Sequence, residues 1–185
     1  MRDIFWEFTE NKGFEHLRVI RQKDFILFDG IIIRQDEDRT FRVFYQLLCD
    51  TSWKFRKLEL SVDSGTIKNL NLSVDKSGLW YDDKGQWYQQ LDGCIEPDLS
   101  FTPLTNTLPI NRLNIQEGET IKIKTAYISL PELKVSPVTQ SYQCLSKKDN
   151  ESIYLYKNID SGFEAEICVD KDSFVTSYPG LSVRV

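Results

Sequence analysis

Three carboxylates fall within seven residues in the stretch Leu91-Asp92-Gly93-Cys94-Ile95-Glu96-Pro97-Asp98-Leu99-Ser100. In an extended chain Asp92, Glu96 and Asp98 share one face, because strand side chains alternate with a period of two. Two carboxyl groups held about 5–10 Å apart, one of them kept protonated, are what a glycosidase needs. The same residues also suit a polar connection ahead of a helix, whose positive N-terminus favours an acid. Both readings stay open here: hydrolysis through Asp92, Glu96 or Asp98, or a structural connection. A calcium or magnesium site fits less well, since the loop lacks the dense oxygen spacing of cation-binding loops.

Other chemistries find less support. The only histidine is His16, and no G-x-S-x-G elbow accompanies it, so nucleophilic catalysis lacks a base and a strained serine. Cys49, Cys94, Cys144 and Cys168 are widely spaced, without the close pairs of a redox motif or zinc site, and read as reduced, mostly buried small hydrophobes. Glycines form neither G-x-G-x-x-G nor a P-loop, which leaves nucleotide cofactors without a foothold. No cofactor and no metal are therefore expected, and a binding protein is favoured over an enzyme. Trp53, Trp80, Tyr81, Trp87 and Tyr88 remain; most should be core, yet Trp and Tyr near Arg56, Asp92 and Asn106 are also the types that stack on sugars and bond hydroxyls.

The elements that must position these residues are strands. Phe41, Val43, Tyr45, Leu47 and Cys49 alternate with Arg42 and Gln46, and Leu58, Leu60 and Val62 pair across the turn Asp63-Ser64-Gly65-Thr66 with Leu70, Leu72 and Val74. Trp53 and Phe55 have the opposite parity to Leu58 and Leu60, so the strand must either switch faces through a bulge near Arg56-Lys57 or expose two aromatics. Ile121 to Tyr127 and Phe163 to Val169 alternate as well. Phe25 to Phe28, Ile31 to Ile33, and Ile153 to Tyr156 are apolar on both faces, which predicts strands covered on both sides or facing an apolar cavity. One short helix is predicted over Leu104 to Leu108, capped by Thr102, opened by Pro103 and stopped by Pro109. Laid over itself at an offset of about 121 residues, Cys49-Asp50-x2-Trp53 faces Cys168-x-Asp170-x3-Phe174, which hints at two similar halves, roughly 1–90 and 115–185, within a single domain of residues 1–185.

Composition agrees. Val, Ile, Thr, Phe, Tyr and Trp together supply 60 of the 185 residues, whereas Ala occurs twice, so a helical bundle is excluded. With 23 basic and 28 acidic residues, a net charge of −5 and no block of like charge, nucleic acid is not an expected partner. The N-terminal residues carry Asp3, Glu7, Glu10 and Glu15 and no apolar run, so a cytoplasmic chain without signal peptide or membrane span is expected.

Several motifs together resemble the bacterial putative glycolipid-binding family: Asp92-Gly93-Cys94, Asp98-Leu99-Ser100, Thr102-Pro103-x2-Asn106-Thr107-x-Pro109-Ile110-x-Arg112-Leu113 and Tyr178-Pro179-Gly180. Tyr45-x4-Asp50-x2-Trp53-x2-Arg56, Gly78-Leu79-Trp80, Leu130-Pro131, Gln140-x-Tyr142 and Val169-Asp170 extend the likeness over nearly the whole chain. Glu96 stands where that family would have Asp, and Ser173 where it would have Gly. The resemblance implies a mostly antiparallel spiral β-roll of two similar halves with one short helical crossover, like the lipoprotein-localisation carriers, and non-catalytic binding of a lipid or glycolipid in an apolar cavity. On that reading aliphatic and aromatic side chains hold the acyl part, Trp53 and Trp80 stack, and Arg56, Asp92, Asp98, Asn106 and Tyr142 meet a polar head. Arg112 would clamp an anionic group. The alternative for the same polar residues is that they staple the Asp92 to Arg112 crossover onto the sheet through an Asp–Arg pair and backbone bonds. A hydrolase, or an interaction module pairing through a sheet edge, are the competing functions.

Overall fold

A computed structural model describes residues 1–185. Fourteen strands form one sheet: β1 (Arg2–Phe8), β2 (Lys12–Arg21), β3 (Phe25–Asp36), β4 (Arg39–Asp50), β5 (Phe55–Asp63), β6 (Ile67–Val74), β7 (Trp80–Asp82), β8 (Glu96–Leu99), β9 (Thr120–Ser129), β10 (Lys134–Lys147), β11 (Glu151–Asn158), β12 (Glu164–Asp170), β13 (Val175–Tyr178) and β14 (Ser182–Arg184). The spatial order is β7-β6-β5-β4-β3-β2-β1-β14-β13-β12-β11-β10-β9-β8. Two antiparallel meanders thus join where β1 pairs with β14, and only β8 runs parallel to its neighbour β9. The edge strands β7 and β8 are opposite ends of the order, yet only 13 residues lie between them in sequence. The sheet is rolled to bring those edges together, and Trp80 Nε1 donates to Cys94 O at 2.9 Å between them. This is the mostly β roll expected from the sequence.

The strand alternation places Phe41, Val43, Tyr45, Leu47 and Cys49 inside, all nearly inaccessible. They belong to a core of 29 residues that also receives Leu58, Leu60, Phe28, Trp6 and Trp80, while a smaller core of 11 gathers Ile123, Tyr142, Tyr154, Tyr156 and Ile167 under the C-terminal meander. The bulge is present: Leu48 faces Lys57 and Cys49 faces Phe55, so Arg56 is the extra residue. It turns Phe55 inward against Trp80, with ring centroids 4.9 Å apart.

The crossover between the meanders holds a 3-10 turn (Gln89–Leu91), β8 and α1 (Leu104–Leu113). Thr102 caps as expected, its Oγ1 accepting from Leu104 N at 3.1 Å. Pro109 does not stop the helix, against the expectation from sequence; it lies inside, and the helix continues to Leu113 before Asn114 closes it at φ 46°. Burial of Leu104, Leu108 and Ile110 offsets the hydrogen bond that the proline cannot donate. No helix is long and apolar enough to cross a membrane.

One turn recurs at strand ends. Asp50 accepts from the backbone N–H groups of Ser52 and Lys54, and Asp170 from those of Asp172 and Phe174, with Trp53 (φ 63°) and Ser173 (φ 65°) left-handed at the same place in each. The side-chain oxygen supplies the acceptor that lets the chain reverse tightly. Asp75 with Gly78 and Asp82 with Gly85 build the same turn, here with the glycine that a positive φ favours.

Candidate functional site

Parallel pairing of β8 with β9 sets Glu96 beside Thr125 and Asp98 beside Tyr127, so both acids share one face of β8. They nonetheless have separate partners. Glu96 is fully buried and accepts from Arg112 Nε in a buried ion pair, which ties the last turn of α1 to β8. Burial pushes the Glu96 carboxyl up and the guanidinium pulls it back. Glu96 Oε2 and Arg112 Nη2 are buried with no further partner.

Asp98 anchors a different network. Its Oδ1 accepts from Thr105 Oγ1 at 3.1 Å and its Oδ2 from Gln140 Nε2 at 2.6 Å. Tyr142 donates its hydroxyl to Asn106 Oδ1 at 2.9 Å and lies 3.3 Å from Gln140 Oε1, and Asn106 Nδ2 reaches Pro103 O at 3.3 Å. Desolvation is the main influence on Asp98 and raises its carboxyl above the ordinary value, while the Thr105 and Gln140 donors hold it back. The network joins β8, α1 and β10 through polar contacts.

Asp98, Thr102 and Asn106 open onto a recess of about 230 Å³. Four aromatic side chains line it beside Leu99, Ser100, Asn158 and Ser161: Tyr156 lies 6.2 Å from both Phe163 and Tyr178, and Tyr127 is the fourth. Burial pushes the Tyr156 and Tyr178 hydroxyls well above the ordinary phenol value, so they stay protonated and can donate. No Lys, Arg or His lines the recess. Behind Thr102, its Oγ1 donates to Glu15 Oε1 at 2.8 Å, and Tyr45 OH donates to the same oxygen at 2.5 Å. Tyr45 reaches Glu15 by lying across Gly30, where a Cβ would come within 2.1 Å of the ring.

The residues expected from sequence separate into groups. Asp98 and Asn106 line the recess and Tyr142 backs them. Arg56 and Asp92 meet elsewhere, on a hollow of about 540 Å³ with Lys54, Lys76 and Gly93; Arg56 also donates to Asp50 at 2.6 Å. Trp80 is sealed in the core and Trp53 is wedged between Phe28 and Phe174 beneath the Arg21 guanidinium, so neither presents a stacking wall to the recess. Arg112 pairs with Glu96, and not with an Asp as the stapling alternative had it. Asp92 is exposed and accepts from Trp87 Nε1 at 3.2 Å, so the three clustered acids of the crossover have three different surroundings. Sequence reasoning missed Tyr127, Tyr156, Phe163, Gln140 and Thr105 as site residues; the Gln140-x-Tyr142 and Tyr178-Pro179-Gly180 motifs were the signal available.

The family model described as "Putative glycolipid-binding" matches residues 3–184. The chain belongs to that family. Among solved structures it is similar to a DUF1089 family protein from Pseudomonas aeruginosa, with 30% sequence identity, a TM-score of 0.81 and 92% of each chain covered. No curated protein matches it.

Proposed function

We propose that the chain binds, without turning it over, the uncharged polar head of a glycolipid or similar amphiphile, and that the recess beside Asp98 receives that head. One observation carries the reading: a hydrogen-bonded carboxylate and amide share with four aromatic side chains a hollow that no Lys, Arg or His lines. Aromatic faces stack on the apolar side of a sugar ring while the carboxylate and amide take its hydroxyls. A phosphate or sulfate head would meet acceptor oxygens and no compensating charge. At about 230 Å³ the recess is smaller than the 300–1,000 Å³ of a typical drug-sized site. It suits a single ring, with any acyl chain left outside. The family's description agrees with this reading.

Calorimetric titration with short alkyl glycosides and alkyl phosphates of equal chain length tests it. Phe163, about half exposed at the wall, can be removed without opening the core. Glycosides should bind in preference to phosphates, and Phe163→Ala should weaken glycoside binding about tenfold, a loss of about 1.4 kcal/mol. Equal phosphate binding, or an unaffected Phe163→Ala variant, would contradict the proposal.

A further inference from the structure

The outward face of β1–β4 carries an apolar surface that the recess leaves unexplained. Strand register sets Phe5, His16, Ile31 and Phe44 side by side in one row, and Phe14 beside Ile33 in the next. Phe14 and Ile33 are 56% and 57% exposed. With Phe5, Ile31 and Val185 they line an open groove of about 850 Å³. Contiguous apolar surface of this kind on a folded domain marks a binding face. The sequence pattern predicts Ile31 to Ile33 covered on both sides or facing an apolar cavity; Ile32 is buried, whereas Ile31 and Ile33 are largely exposed on the groove.

The next row along the strands is polar. Asp29, Gln46, Glu59 and Asn71 lie in register across β3–β6, and with Asn69 and Asp83 they line a shelf-like hollow of about 540 Å³ that shares Ile31 with the groove. Gln46 Nε2 donates to Asp29 Oδ1 at 3.2 Å, and Asn71 Nδ2 to Asp83 Oδ2 at 3.4 Å. Each amide–carboxylate pair leaves a donor and an acceptor side by side, the complement of two neighbouring hydroxyls. No Lys, Arg or His lines the shelf. Lys12 and Arg34 border the groove at its other end, and Arg18, in the shelf row, donates instead to Asp3 at 3.3 Å. The charge pattern therefore turns an anionic head away from the shelf and admits a neutral one.

We propose that this face is a second ligand site, taking a single-chain amphiphile with an uncharged polyhydroxyl head: the alkyl chain lies along Phe14, Ile33 and Phe5, and the head rests on the shelf. The site is separate from the recess: its residues come from β1–β6 with Asp83 and Val185, and none of them lines the recess, which is built by the crossover and the C-terminal meander.

Titration of the full chain with dodecyl maltoside below its micelle concentration, against dodecyl phosphate, is the test. Maltoside should bind at least tenfold tighter than phosphate. Phe14→Ser combined with Ile33→Ser, both on the exposed face, should weaken maltoside binding at least tenfold, and Asn71→Ala at least threefold. These titrations are run in the Phe163→Ala background, where the recess is weakened and the maltoside binding that remains reports the outer face; if Phe163→Ala alone abolishes binding, the outer site fails while the recess reading stands. Preferential phosphate binding, which would place an anion at the Lys12 end, overturns the proposal. So does an Asn71→Ala variant of unaltered affinity, or a concentration-dependent mass lost with Phe14→Ser, which would mean that a second copy of the chain covers this face.

Discussion

Replacing Glu15 with Gln should change the pH dependence of stability by a calculable amount. Glu15 is inaccessible to solvent, and burial pushes its carboxyl from an ordinary value of 4.5 up to about 8, with the Tyr45 and Thr102 hydroxyls lowering it less than desolvation raises it. The unfolded chain releases this proton near pH 4.5, whereas the folded chain holds it to about pH 8. The folded state therefore binds more protons between those limits, so stability is fully present below pH 4.5 and is lost as the pH rises to 8. At about 1.4 kcal/mol per pH unit, a gap of about 3.5 units amounts to about 5 kcal/mol. Gln keeps the oxygen that accepts from Tyr45 and Thr102 and carries no charge at any pH. Guanidinium unfolding of both chains at a series of pH values reads the difference directly. Between about pH 5 and 8 the Glu15→Gln variant should gain about 1.4 kcal/mol per pH unit over the native chain, and below about pH 4 the difference should be flat. A stability difference that stays constant from about pH 4 to 9 would refute the reasoning.

Two further outcomes follow from the same kind of geometry. Arg112→Ala should cost about 3–5 kcal/mol in chemical denaturation, because it leaves Glu96 buried without its cation; Glu96→Leu combined with Arg112→Met should recover most of the loss. Gly30→Ala should lower the melting temperature by an amount equivalent to about 1–3 kcal/mol, since its Cβ would stand 2.1 Å from the Tyr45 ring and push that ring off Glu15.

Strand periodicity makes most of the strands legible in the sequence, whereas their closure into a roll is legible only through the family resemblance. The hairpin through Asp63-Ser64-Gly65-Thr66 pairs Leu58 with Leu72 and Leu60 with Leu70, and the parity conflict at Phe55 resolves into a bulge at Arg56. Pro109 misleads because local backbone chemistry ends a helix only when tertiary burial does not hold it, and here Leu108 and Ile110 do. The candidate site is half legible. Asp98, Asn106 and Tyr142 belong to motifs that the sequence displays, but their neighbours Tyr127 and Tyr156, and Phe163 just before β12, are brought together by strand pairing that no local pattern fixes. Trp53 and Trp80 carry the residue type of a stacking wall, and only packing shows them serving the core instead. Arg112 illustrates the same limit: its charge suggests an anion clamp, and a buried partner 16 residues away in sequence takes it.

The central claim, that the recess beside Asp98 holds an uncharged polar head, is tested most directly by native mass spectrometry of freshly purified chain followed by organic extraction and lipid mass analysis. The account expects a co-purifying amphiphile with a neutral glycosyl or polyol head, diminished in the Phe163→Ala variant. A phospholipid whose amount is indifferent to Phe163, or a bare chain whose melting temperature no alkyl glycoside raises, would contradict it.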